Sequence, residues 1–172
     1  MNITIIMALA KVAPRKYAFG TKDGKLPWNY VKADMQFFVQ NTKAQKGRAF
    51  ACSMATYNSL PTAAIQRLQP LIIADSREEV YEVLSIGHWT PDELIVLGGR
   101  KLIHEFIPYA DVLRISQIGG VSFNENQTFL REETLELLKD YEMVSSCYFH
   151  EVPETNYEDG PYLQRAYSLV LG

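Results

Sequence analysis

Five short apolar runs, each closed by turn residues, constrain the fold of this chain more than anything else in it. They occupy residues 2–10, 48–52, 71–74, 94–97 and 112–118. The first is β-branched and almost continuously hydrophobic, as suits a strand buried on both faces. The next three are shorter buried strands, and the last alternates. Helical patterns separate them: 29–43, 53–60 behind a Ser53 cap, 78–84 behind Asp75-Ser76, and 100–107. Such alternation predicts an α/β fold with a mostly parallel central sheet flanked by helices on both faces. Residues 141–150 and 162–170 read as a C-terminal antiparallel hairpin at one edge, joined by a polar loop with Pro153, Asn156, Asp159 and Gly160. Pro14, Gly20, Gly24 and Pro27 make 11–26 a long loop, of a length often tied to function. Residues 61–69 read as a second loop. The 172 residues show no repeat, low-complexity tract or linker, so a single domain is expected.

Charge and cysteine usage narrow the function. A net charge of -3, with Lys and Arg scattered, leaves no footprint for nucleic acid. Cys52 and Cys147 lie far apart outside any CxxC, which suits free thiols in a reducing cytoplasm. His88, His104 and His150 are isolated from one another, so no metal is expected. The apolar start lacks a preceding basic region and is short, which favours a buried strand over a signal peptide. No run approaches membrane-spanning length.

The stretch Leu26-Pro27-Trp28 to Phe38 is the most unusual. Pro27 holds Leu26 extended, so a helix starts no earlier than Trp28. Val31, Met35, Phe38 and Thr42 then fall on one side, and Asp34 shares that stripe. A carboxylate on a buried helix face is costly unless hydrogen bonds offset it. It is either a functional acid or an Asp at the stripe's edge, bonded to nearby backbone.

Three strand-to-helix junctions carry phosphate-compatible residues, and ligands of open α/β sheets bind beyond the strands' carboxyl ends. Gly98-Gly99 follows the fourth run and permits close backbone approach. Ser53 to Thr56 offers hydroxyls at a helix start, and Ser76-Arg77 a hydroxyl with a guanidinium. Three in succession suggest a ligand with several phosphates, such as a dinucleotide. The GxGxxG fingerprint is absent, so any dinucleotide binds by another fold's geometry.

These residues resemble the dihydrofolate reductase family over nearly the whole chain. The resemblance rests on Leu26-Pro27-Trp28 with Asp34 and Phe38, on Val96-Leu97-Gly98-Gly99, on Thr56-Tyr57-Asn58-Ser59-Leu60, and on the hydroxyl of Ser116. It implies reduction of 7,8-dihydrofolate to tetrahydrofolate with NADPH, NADH being possible. Asp34 would hold the pterin's 2-amino group and N3, braced by Ser116, with Trp28 anchoring a water; as a buried carboxylate it is expected to titrate high. Ile6, Met7, Met35, Phe38, Leu60 and Leu97 would surround the substrate, and Arg67, eight after Ser59, would pair with its glutamate tail. The cofactor would meet Ala8, Phe19, Gly20 and Leu26 of the first strand and the 11–26 lid. It would also meet Ser53, Met54, Thr56, Ser76, Arg77, Gly98, Gly99, Arg100, Lys101 and Leu102.

The departures from the family pattern concern the cofactor. Ser53-Met54 stands where the family has Gly-Arg or Gly-Lys, removing a basic contact to the 2′-phosphate. Arg77 is the candidate to compensate, and Asp75 pulls the other way. Ile103 replaces a common Tyr, and Asn126 a common Asp. The expected protein is a cytoplasmic monomer whose partner is a small-molecule substrate. The rivals are a pyrimidine reductase of riboflavin synthesis and a non-enzymatic pterin- or nucleotide-binding protein.

Overall fold

The structure, a computed structural model, describes residues 1–151 and 162–171, with side chains through Glu142. The loop with Pro153, Asn156, Asp159 and Gly160, and the Cys147 side chain, lie outside the described residues. In chain order come β1 (Asn2–Ala13), β2 (Lys16–Thr21), α1 (Lys32–Asn41), β3 (Arg48–Cys52), α2 (Met54–Ser59) and α3 (Thr62–Arg67). Then follow β4 (Leu71–Ile73), α4 (Arg77–Ile86), β5 (Glu93–Val96), α5 (Arg100–Phe106) and β6 (Val112–Ile118). β7 (Gln127–Phe129), α6 (Glu132–Leu138), β8 (Tyr141–Glu151) and β9 (Tyr162–Leu171) complete the described residues.

The sheet runs β4-β3-β5-β1-β6-β9-β8. Its first five strands are mutually parallel, and β9 and β8 continue it antiparallel beyond β6, as the hairpin expectation required. Alternation along β1 sends Ile3, Ile5, Met7 and Leu9 to one face, where α4 and α5 cover them with Val80, Leu84, Leu102 and Phe106. Ile6 faces the other way and packs with Phe38 of α1, Tyr57 of α2 and Ala64 of α3. Further along that face, Ala10 and Ile118 close over Trp28 and Val31. Helices therefore cover both faces.

Four local readings change. Residues 11–26 are not one loop: β1 runs on to Ala13, turns through Pro14-Arg15 with Arg15 at φ 59, and pairs antiparallel with β2. The buried Ala18 between half-buried Tyr17 and Phe19 is the strand's alternation, masked by neighbouring turn residues. Residues 61–69 contain α3, because Pro61 stands just before that helix's first residue, where its missing N–H costs nothing. α1 begins at Lys32, since Val31 is still extended at φ -115, ψ 109. Residues 119–140, with no expected element, carry β7, paired with β2, and α6.

Candidate active site

β5 is followed by α5 on one face, while its neighbour β3 is followed by α2 on the other, where α1, which comes after β2, also packs. Chains leaving adjacent strands in opposite directions open a crevice outside the carboxyl ends. Gly98-Gly99 sits there, joined by a cis peptide bond. The Ser53 amide donates to the Gly98 carbonyl at 2.7 Å, and Ser53 Oγ accepts from the amides of Gly99 (3.0 Å) and Thr56 (3.2 Å). One hydroxyl thus caps α2 and fixes the glycine pair. A Cβ on Gly98 would stand 3.0 Å from Thr56 Oγ1 and 3.6 Å from Phe19 Cζ, and Gly98 has φ +135. On Gly99 a Cβ would stand 3.2 Å from Ser53 Oγ. Phe19, Ser53, Thr56, Gly98 and Gly99, five of the residues the resemblance assigns to the cofactor, are therefore brought together. Ser53→Ala removes two accepted bonds and is expected to cost about 1–2 kcal/mol in urea unfolding, the scale of a lost cap plus an orphaned amide. An unchanged unfolding midpoint would contradict this role.

α1 and α2–α3 form the walls on the opposite side of β1. Ile6, Phe38, Leu60 and Leu97, all predicted at the substrate, share one cluster, together with Tyr57, which the sequence reading quoted only as part of a motif. Met35 is half-buried. Met7 packs with the opposite-face cluster, leaving its main chain to this side. Trp28 is buried at 6 % exposure against Ala10, Ala18 and Val31. Ser116 is buried on β6, level with half-buried Ala8 of β1. Asp34 is half-buried, in the first turn of α1, where the helix's free N–H groups favour a carboxylate. It is less enclosed than the sequence stripe implied, because the late helix start puts it near an end.

Arg67, at the end of α3, donates through Nη1 to the Thr42 carbonyl (2.8 Å) and hydroxyl (2.7 Å). Its guanidinium lies 5.6 Å from the Phe38 ring centroid, and burial lowers its pKa. Thr42 is fully buried at the C-terminus of α1. Sequence reading placed it on the stripe without seeing this role; a polar residue at an apolar position was the available signal.

At the β4–α4 junction Ser76 opens the helix, as the Asp75-Ser76 reading expected. Ser76 Oγ accepts from Glu79 N at 3.2 Å as an ordinary cap. Arg77 lays its guanidinium over Tyr109 (3.6 Å to the centroid) and Tyr81 (4.9 Å), with Nε buried and, among the described residues, without a hydrogen-bond partner. The Met54 amide donates to Asp75 Oδ1 at 3.3 Å. Farther round, Arg100 donates to the Phe129 carbonyl at 2.8 Å, Lys101 and Leu26 are exposed, and Leu102 is core. Half-buried Gly20 on β2 leads into a turn closed by Thr21 N to Lys25 O (2.9 Å). That turn docks on Asn126, whose carbonyl accepts from Lys22 N (2.8 Å) and whose Nδ2 donates to Asp23 (3.2 Å). Thr21, the backbone and Asn126 together hold the Asp23 carboxyl below its ordinary range. Burial pushes the Cys52 thiol up to about 11, so it is an inert core group. Among the described residues no three metal-capable side chains converge, and no helix is long and apolar enough to cross a membrane.

The model of the dihydrofolate reductase family matches residues 2–159. The chain is 30% identical over 133 residues to dihydrofolate reductase type A10 of Escherichia coli, covering 69% of this chain and 66% of that protein. To dihydrofolate reductase of Ureaplasma parvum serovar 3 it is 27% identical over 105 residues, covering 56% and 65%. The aligned stretches thus span just under two thirds of these relatives. A solved dihydrofolate reductase from Enterococcus faecalis, complexed with NADP(H) and RAB-propyl, superposes with a TM-score of 0.65 at 21% identity, covering 99% and 96%. That likeness speaks for the fold. With a family match over nearly its full length and the glycine pair, Ser53 and Phe19 gathered at one crevice, this chain belongs to the dihydrofolate reductase family.

Proposed function

We propose that this protein reduces 7,8-dihydrofolate to 5,6,7,8-tetrahydrofolate, taking the hydride from NADPH, with NADH as the alternative donor. The observation that carries this reading is a half-buried acid, Asp34, in the first turn of α1, a helix whose Phe38 packs with Ile6, Leu60 and Leu97 on the sheet face beside the Gly98-Gly99 pair. The residues fit a dinucleotide: two successive glycines present bare backbone beside two hydroxyls and an aromatic ring. Reduced nicotinamide, when bound, supplies a hydride to C6 of the pterin. Asp34 binds the pterin's 2-amino group and N3 through its two oxygens and favours proton delivery to N5, while the surrounding residues set the positioning. Ser116 and Trp28 are assigned to brace that carboxylate and anchor a water. Phe38, Leu60, Ile6 and Leu97 hold the ring system and keep water out. Phe19, Gly20 and the turn after β2 cover the nicotinamide end. The reading includes action as a monomer in a reducing cytoplasm, which suits the free Cys52 thiol.

The test follows loss of reduced-nicotinamide absorbance with purified protein and dihydrofolate. Turnover supports the reading. No turnover with either donor would leave a binding protein, and turnover with an aminated pyrimidine substrate instead would favour the riboflavin-pathway rival. Arg67 supplies a second arm. Among the described residues its Nε and Nη2 lack a protein partner, so part of the fork is available for a tail carboxylate. Arg67→Lys is expected to raise KM for dihydrofolate about tenfold with a small change in kcat, because an ammonium can keep the Thr42 bond that moors α1 but cannot add a planar fork to a carboxylate.

A further inference from the structure

The rim of the crevice continues past the glycine pair. Gly99 bonds Ser53, Met54 follows Ser53, and the Met54 amide bonds Asp75. Ala74 N also donates to the Cys52 carbonyl at 3.0 Å, locking the β4 end to the β3 end. From β5 across β3 to β4 is two strand spacings, roughly 10 Å. A dinucleotide with its nicotinamide near Phe19 and its phosphates at the glycine pair therefore extends its adenosine ribose toward Asp75.

The charges at that end are mostly negative. Asp75 is exposed, and its own amide donates to Glu79 Oε2 at 2.8 Å. The Arg77 amide donates to Glu105 Oε2 at 2.9 Å. The cation available, Arg77, is stacked on Tyr109. The Met54 amide, which could otherwise meet an anion, is already taken by a carboxylate. An acid at a ribose accepts a hydrogen bond from a 2′-hydroxyl and repels a 2′-phosphate.

We propose that Asp75 sets the dinucleotide preference of this protein, so that NADH binds at least as tightly as NADPH. The proposal rests on the reading that the crevice takes a reduced nicotinamide dinucleotide. It assigns the discrimination to one side chain instead of to the missing basic residue at Met54 alone.

Dissociation constants for NADH and NADPH, from quenching of tryptophan fluorescence, test it without turnover. Asp75→Asn is expected to tighten NADPH about three- to tenfold, the scale of removing one partly screened repulsion, with NADH unchanged or weaker. Asp75→Ser, which keeps an acceptor for the Met54 amide, should do the same. In the unaltered protein, raising salt should narrow any advantage of NADH, and in Asp75→Asn it should not. Equal shifts for both dinucleotides, or NADPH already tenfold tighter with no response to either substitution, would overturn the proposal and leave the reductase reading standing. Binding of neither dinucleotide would remove both.

Discussion

Asp34→Asn is expected to lower kcat with dihydrofolate by about 10²- to 10⁴-fold at neutral pH, the range for loss of a positioned acid–base group. Cofactor affinity should change little. Asn matches Asp in size, so α1 keeps its packing through Val31 and Phe38. On the proposed reading what changes is chemistry: one oxygen that would accept from the pterin becomes an NH₂ that meets another donor, and the charge that would favour N5 protonation is gone. Steady-state kinetics together with NADPH titration separate these effects. A variant with unimpaired turnover would show that the proton comes by another route and that Asp34 is only the acid of a helix's first turn.

The second large effect is expected from Gly98→Ala. The residue sits at φ +135, which side chains rarely adopt, and the new methyl would press on Thr56 Oγ1 at 3.0 Å. The backbone conformation alone should cost about 1–3 kcal/mol of stability. Relief by tilting the peptide would disturb the Gly98 carbonyl that Ser53 holds at 2.7 Å. Dinucleotide affinity should therefore fall by at least about tenfold, since a bare backbone is what lets a phosphate come close. Urea unfolding and fluorescence titration read the two losses. Adding Thr56→Ala should restore part of the stability, because it removes the nearest atom but not the backbone strain. Near-normal stability and binding in the single variant would mean that the crevice tolerates a side chain there.

How much of this was legible in the sequence depended on sequence distance. The parallel strands were readable because an apolar run between turn residues has few other ways to bury itself, and the glycine pair after such a run marks a close approach. β7 was not readable, since three residues carry no periodicity. α3 was hidden by Pro61, which reads as a breaker until its place at the helix start is known. The acid of α1 was legible as an oddity, but its depth was not: the extended Val31 before Lys32 delays the helix and decides that, and Pro27 constrains only the residue ahead of it. The Arg67–Thr42 and Met54–Asp75 bonds span 25 and 21 residues. No local pattern announces such partners, because β3 and β4 bring them together only once paired.

Arg67 and Thr42 tie down one end of α1, and buried Trp28 and Val31 hold the segment entering the other. The helix is a beam with two supports, and Asp34 lies eight residues, about 12 Å, from the Thr42 mooring. A tilt of about 5° there would swing the carboxylate by about 1 Å, a misplacement able to cost about a hundredfold in rate. On the proposed reading a remote hydroxyl would govern aim at the reacting ring, and loosening it would look, in an assay, like damage to the acid itself.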